Sequence, residues 1–253
     1  MSRNLVDKVI RLCETRGFSV ESRVESSLGT TCTYQFGPLG TELRRNLRHA
    51  WWFDVVRSKG NVYGFETTSE LIIQAPYETS TTSERTAARL SENASTLTQF
   101  FRVIPGINLP FGAAWNRKYF RKPESDNYIL RSCEREVMTL QYFCAENKVN
   151  DWTNHWKRQR LVWWRKFANV RSNFSLNEEQ MDLEPGVNHQ TTIQYTFPWG
   201  KESVDSMTVS SDLHKYMTDE DCSGLPFNKE SMPYVIQIKT DINTGNINLH
   251  VAI

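Results

Sequence analysis

The chemistry most visible in the sequence is phosphate binding. Residues 155–174 read HWKRQRLVWWRKFANVRSNF and contain six Lys or Arg residues, three Trp residues and no acid. Lysine and arginine neutralise the phosphates of nucleic acids, and such contacts carry no information about base sequence. The net charge of the 253-residue chain is only +1, so an attraction to nucleic acid has to come from a local patch. This stretch is therefore the first candidate for a binding site.

A helix drawn over this stretch separates the aromatic side chains from the basic ones. The aromatic stripe consists of Trp152, Trp156, Trp163, Phe167 and Val170. Arg158 and Arg165 fall on the opposite face. The pattern predicts an aromatic core side and a surface that contacts duplex DNA. The predicted DNA-binding residues are Lys157, Arg158, Arg160, Arg165, Lys166 and Arg171.

The alternative is an amphipathic helix whose cations are merely solvated. The absence of acids favours binding, because a solvated helical face usually interleaves Glu with Lys. Six like charges without partners repel one another, and a polyanion would relieve that repulsion.

Metal, disulfide and membrane chemistry find no support in the sequence. The five cysteines are scattered and never spaced as C-x-x-C, which argues against a zinc site and a disulfide framework. The five histidines show no spacing that indicates a catalytic pair. No apolar run approaches the length of roughly 18–20 residues that a membrane span needs. We therefore expect no metal, no cofactor and no membrane partner.

The elements that must position the basic stretch are those of an α+β protein. Apolar spacing predicts helices over 4–16, after the Gly37–Gly40 turn, and within 79–98. The last is predicted as a single exposed helix, with Thr81 and Glu84 as a capping box. Residues 178–184 are predicted as an acidic loop. Strands are predicted at 62–66, 71–74, 137–143, 191–197, 233–240 and 246–253, the last two as a hairpin around DINTG. Helices segregated from strands indicate an antiparallel sheet.

Two stretches resemble known families. FGPLGTELRRNLRHAWW is similar to the motif 1 region of glycyl-type class II aminoacyl-tRNA synthetases. LVWWRKFANVRSNFS followed by YTFPWGKE resembles the accessory subunits of mitochondrial DNA polymerase gamma, which are non-catalytic relatives of those synthetases. The resemblance runs through about residues 4–66 and 108–253. It implies a class II synthetase-like antiparallel sheet flanked by helices, in one domain over 1–253.

The resemblance also implies a function. The accessory subunits act as processivity factors in mitochondrial DNA replication, binding duplex DNA and the polymerase catalytic subunit. It further implies location in the mitochondrial matrix and nucleoid. Two alternatives stay open: a glycyl-tRNA synthetase-type ligase fragment, and a folded remnant with no partner.

The resemblance to synthetases places a degenerate ATP and amino-acid pocket in this chain. Pro123 stands where the synthetases carry a motif 2 glutamate, and the motif 3 pattern G-x-G-x-x-x-R is absent from the sequence. Thr139 and Gln141 replace the acids that hold the amino group of glycine. We therefore expect no catalytic residues. The residues assigned to the degenerate pocket are Arg121, Thr139, Gln141 and Glu202.

Two further expectations follow from the comparison with the accessory subunits. The insertion between motifs 1 and 2, here residues 68–109, is too short for the helical dimer interface of vertebrate members, so we do not expect a homodimer of that type. The C-terminal domain that resembles an anticodon-binding domain is expected to be absent. Residues 1–19 contain Asp7 and Glu14 and do not read as a targeting segment.

Overall fold

The computed structural model describes residues 2–26, 29–66, 82–120, 134–179, 187–197 and 200–242. Its α-helices are α1 (Ser2–Thr15), α2 (Pro38–Trp52), α3 (Thr82–Val103), α4 (Val149–Arg165) and the single turn α5 (Asp219–Cys222). A π-helix, Phe53–Arg57, continues α2. The strands are β1 (Ser19–Ser26), β2 (Gly29–Phe36), β3 (Val62–Gly64), β4 (Phe111–Phe120), β5 (Glu134–Cys144), β6 (Phe174–Glu179), β7 (Val187–Phe197), β8 (Gly200–Ser210) and β9 (Tyr234–Asp241).

Seven strands form one large sheet in the order β3-β4-β5-β9-β8-β7-β6, and β1 and β2 form a separate hairpin. Every neighbouring pair in the large sheet is antiparallel except β3 and β4, which run parallel. The predicted α+β class is confirmed, with the difference that the sheet is mixed at this edge. Sequence periodicity could not reveal this, because a three-residue strand does not encode its direction.

The two faces of the sheet carry separate cores. On one face, which we call the α2/α4 face, Leu140, Ile236 and Ile238 pack with side chains from α2 and α4. On the other, the α3 face, Phe111 and Phe143 pack against α3. Alternate residues of a strand point to opposite faces, so the central strands are apolar on both sides.

The predicted aromatic core of α4 is largely confirmed. Trp156 and Trp163 are 1% and 2% exposed and belong to the α2/α4 core. Phe167 is partly buried beside Trp163, with ring centroids 4.8 Å apart. Val170 is exposed, because the helix ends at Arg165 and the following residues leave its apolar stripe. Trp164, which the stripe did not include, is fully buried and stacks on Phe174 of β6.

Helix α2 follows its prediction closely. Gly37 is the N-cap residue of the helix. A side chain at this position would overlap the carbonyl oxygen of Gly17, which lies 2.4 Å from where a Cβ would be. Pro38 occupies the first helical turn, where no backbone N–H is required. Leu47, Trp51 and Val55 then form a buried stripe on the sheet.

Helix α3 forms as predicted but is not an exposed helix. Its stripe of Leu90, Ala94 and Leu97 is buried on the α3 face of the sheet. The Ser/Thr-rich composition indicated exposure, yet Thr96 and Thr98 satisfy their hydroxyls on carbonyls one turn earlier in the helix. Hydroxyl side chains can therefore enter a packed helix without leaving a polar group unpaired.

Other expectations have mixed outcomes. The strands predicted at 71–74 and 246–253 and the cap residue Thr81 lie outside the described residues. In the predicted loop 178–184, residues 178 and 179 belong to β6 instead. Helix α1 buries Cys13, whereas the neighbouring Leu12 is half exposed. No helix of the described residues is long and apolar enough to cross a membrane.

Replacing Trp163 with alanine should destabilise the protein by about 3–5 kcal/mol, since a buried aromatic is lost and a cavity remains. Urea unfolding followed by circular dichroism measures this change. Val162→Ala is the matched control, because Val162 is the adjacent residue and is 50% exposed. It should shift stability by no more than about 0.5 kcal/mol. Unchanged stability of Trp163→Ala would contradict the core assignment.

Candidate nucleic-acid interface and degenerate synthetase pocket

The six basic residues predicted to bind DNA do not share one surface. Two of them are buried: Arg160 is completely inaccessible, and Lys157 is 9% exposed. Arg158, Lys166 and Arg171 are exposed, and Arg165 is half-buried. The structure therefore divides the set into an inner and an outer group.

Arg160 points into the α2/α4 core and ion-pairs with Asp205 of β8. Its Nε lies 2.8 Å from Asp205 Oδ2, and its Nη2 donates to Thr240 Oγ1 of β9 at 3.3 Å. Its guanidinium also lies 4.2 Å from the centroid of the Trp163 ring. Burial raises the pKa of Asp205, and the charge of Arg160 opposes that rise. The prediction that Arg160 contacts DNA is wrong, because no phosphate can reach this side chain.

Lys157 is also removed from the predicted interface. Its Nζ donates to Glu178 Oε1 at 2.9 Å and lies 2.5 Å from His189 Nε2. The hydrogen bond and charge of Lys157 lower the pKa of Glu178. Burial, followed by the charge of Lys157, lowers the pKa of His189, so the neutral ring can accept from the lysine. The acids missing from the helix sequence are thus supplied by strands β6 and β8.

In the outer group, three cations are exposed and the fourth, Arg165, is half-buried. Within the described residues, Arg158, Lys166 and Arg171 make no ion pair. Arg165 donates from Nη2 to the carbonyl of Phe174 at 3.1 Å, which fixes the end of α4 against β6. Arg158 on α4 and Lys166, the C-cap residue that follows it, are eight residues apart, a separation of roughly 12 Å along the axis. This outer surface could accommodate phosphates, which the inner group could not.

The residues assigned to the degenerate synthetase pocket are not brought together. Arg121, like Pro123, lies outside the described residues. Thr139 and Gln141 lie on the α3 face and are fully buried. Glu202 pairs with Tyr195, whose ring packs in the α2/α4 core, so Glu202 is on the opposite face of the sheet.

Helix α3 covers Gln141, one of the residues assigned to the pocket. Asn93, on its inner face, is fully buried and its Oδ1 accepts from Gln141 Nε2 at 2.6 Å and from Gln237 Nε2 at 3.1 Å. Arg117 of β4 and Glu92 form a further ion pair of 3.2 Å across the same contact. Sequence reasoning missed Asn93, because its two glutamine partners lie on strands far from it in the sequence.

One buried carboxylate sits beneath α2 instead of in a pocket. Glu136 of β5 is fully buried and accepts from Arg44 at 2.5 Å, from Arg48 at 2.9 Å and from Asn116. Burial alone would raise the pKa of Glu136, but Arg44, Asn116 and Arg48 together hold it below its usual value. This carboxylate is ionised and committed to binding α2, so it has no free oxygen for a proton-transfer role. No cluster of His, Cys, Asp and Glu suited to a metal ion occurs among the described residues.

The fold is that of the class II aminoacyl-tRNA synthetases. A prolyl-tRNA synthetase of Giardia lamblia, solved in complex with prolyl-adenylate, superposes with a TM-score of 0.65 at 10% identity, covering 98% of this chain and 53% of the synthetase. No protein-family profile matches the sequence.

In sequence, the chain is similar to the gamma-2 subunits of DNA polymerase. It is 30% identical to the mitochondrial DNA polymerase subunit gamma-2 of Xenopus laevis, over 94% of this chain and 58% of the subunit. Similarity to the glycine–tRNA ligase of Borrelia hermsii is weaker, at 23% identity over 80% of this chain and 59% of the ligase. The chain thus spans less than two thirds of the length of each of these relatives.

Replacing Arg160 with methionine should cost about 3–5 kcal/mol of stability, because Asp205 is left charged and buried without its partner. The double variant Arg160→Met/Asp205→Leu should recover most of that loss, since both fully buried charges are removed and only the partly exposed Asp54 loses its 3.8 Å contact with Arg160. Denaturant unfolding of both variants measures the difference. Arg158→Met is the control and should leave stability nearly unchanged. A stable Arg160→Met protein would show that the buried pair does not organise this core.

We also expect no glycine-dependent exchange of pyrophosphate into ATP, because Thr139 and Gln141 are uncharged and buried on the face that α3 covers. The assay is run beside a bacterial glycine–tRNA ligase as the positive control. Exchange above the protein-free background would contradict the assignment.

Proposed function

We propose that the chain is a non-catalytic accessory subunit of a mitochondrial DNA polymerase gamma, acting as a processivity factor in mitochondrial DNA replication. Its similarity to gamma-2 subunits over most of its length supports the accessory role. In this proposal the chain binds the polymerase catalytic subunit and duplex DNA, and it acts in the mitochondrial matrix, at the nucleoid. Because the chain spans only part of its relatives, stimulation of the polymerase is itself part of the proposal.

The observation that carries the DNA-binding part is the sorting of charge on α4. The inner cations are neutralised by Glu178 and Asp205. Three cations remain exposed, Arg158, Lys166 and Arg171, and Arg165 is half-buried. We call these four residues the outer basic surface. Exposed arginine and lysine bind phosphates without reading bases, which suits a factor that must work on any template.

The alternative of a glycyl-tRNA synthetase-type ligase fits the weaker similarity to glycine–tRNA ligases. Adenylate formation needs preorganised charges around the substrate. Here Thr139 and Gln141 are uncharged and covered by α3, and Glu202 faces away from them. The accessory role is therefore the better account, and we propose that the chain forms no adenylate.

The same packing bears on self-association. Helix α3 is the described part of the insertion between motifs 1 and 2, and its apolar stripe is already buried on its own sheet. It therefore offers little apolar surface to a second copy. We propose that the chain does not dimerise through this insertion.

The duplex-binding proposal predicts how affinity depends on salt. Each phosphate contact contributes roughly −0.9 to the slope of log affinity against log salt concentration. Removing Arg158 and Lys166 together should flatten the slope by about 1.8 units. The loss should be equal for two duplexes of unrelated sequence, since the contacts read no bases. Fluorescence anisotropy with labelled duplexes measures both quantities.

The control for this experiment removes the same charge from the other side of the sheet. Lys215 and Lys229 are exposed in the segment that packs beside α3, so Lys215→Ala/Lys229→Ala changes net charge equally at a distance from α4. This control should keep the wild-type slope. If both double variants flatten the slope to the same extent, only net charge matters and the outer basic surface is not the interface.

A further inference from the structure

Lys59, His155 and Arg158 lie near one another beside the middle of α4. His155 and Arg158 are one turn apart on its exposed side. Lys59 reaches the same place from the segment that follows the π-helix, with its Nζ 5.8 Å from the centroid of the Trp156 ring. The His155 ring lies 5.5 Å from that same tryptophan, nearly perpendicular to it. We call these three residues the Lys59 cluster.

The segment that carries Lys59 is held at both ends. Before it, Ser58 donates from Oγ to the carbonyl of Asp54 at 2.6 Å. After it, Asn61 donates from Nδ2 to the carbonyl of Pro110 and to the Tyr142 hydroxyl, each at 3.0 Å. Lys59 is therefore positioned by the fold, unlike a lysine on a long loop. Preorganisation of this kind lowers the entropy lost when a ligand is bound.

The cluster is a concentration of like charge. Partial desolvation and the positive charges of Lys59 and Arg158 lower the pKa of His155. A hydrogen bond with Gln159 opposes this shift. The nearest carboxylates on the neighbouring elements are engaged elsewhere: Asp151 pairs with Lys148 at 3.6 Å, and Asp54 with Arg160 at 3.8 Å. Among the described residues, no acid pairs with Lys59, His155 or Arg158.

We propose that Lys59, His155 and Arg158 form a binding site for a phosphate group. Lys59 and Arg158 supply fixed positive charge, and His155 adds a donor that becomes cationic when the anion arrives. The two cations and the imidazole come from two different elements, so a phosphate bound here would join α4 to the segment that follows the π-helix. Identifying its occupant as a phosphate of duplex DNA rests on the proposed function, whereas binding of a free phosphate does not.

A phosphate in this site reverses the electrostatics around His155. Its negative charge offsets Lys59 and Arg158 and accepts a hydrogen bond from the protonated ring, so the pKa of His155 must rise on binding. Binding at near-neutral pH will accordingly take up a proton. A cation that is only solvated at the surface would produce neither effect.

The test is an NMR titration of the His155 ring in the full chain, assigned with His155→Gln. It is carried out on the free protein, with inorganic phosphate, and with a duplex oligonucleotide. We expect the pKa of His155 to rise with the duplex. Lys59→Met should abolish most of that rise and flatten the salt slope of duplex binding by about 0.9 units. Lys148→Met is the control, because Lys148 precedes the same helix and is exposed, and it should change neither quantity.

The outcomes separate this inference from the proposed function. A duplex that binds with an unchanged His155 titration overturns the Lys59 cluster as its phosphate site and leaves DNA binding through the outer basic surface intact. A rise with inorganic phosphate but no duplex binding supports the site and contradicts the proposed function. If neither inorganic phosphate nor the duplex changes the titration of His155, the site is overturned. The His189 ring serves as an internal reference for the folded state.

Discussion

The buried ion pair between Arg160 and Asp205 is the constraint on which the arrangement of α4 depends. A charged guanidinium in an apolar core is tolerated only with a partner, and Asp205, Thr240 and the ring of Trp163 surround it. Arg160 shares the buried side of α4 with Trp156, Trp163 and Trp164. With that side against the sheet, His155 and Arg158 on the other side face solvent.

The class II fold is retained here, and α3 packs over the sheet face that carries Thr139 and Gln141. Gln141 of β5 donates to Asn93 of α3, and the buried carboxylate of Glu136 binds α2. Asn93 accepts hydrogen bonds from both Gln141 and Gln237, so an internal amide joins α3 to two strands of this sheet face.

Much of the fold could be predicted from the sequence, but the site only in part. The helices and central strands followed from apolar periodicity, and the aromatic side of α4 was identified through Trp156 and Trp163. Periodicity could not assign Arg160 or Lys157, because a residue's partner on another strand is invisible within the helix itself. It likewise missed Lys59, which comes from a separate element, and misjudged α3 because its hydroxyls are satisfied internally.

The central claim is that the fold sorts the cations of α4 into an inner structural group and an outer phosphate-binding group. Chemical modification of arginines with phenylglyoxal, read by mass spectrometry with and without duplex DNA, tests that sorting residue by residue. We predict that Arg158 and Arg171 react in the free protein and are protected by the duplex, while Arg160 is unreactive in both. Modification of Arg160 in the folded protein, or equal reactivity of Arg158 and Arg171 with and without bound duplex, would contradict the account.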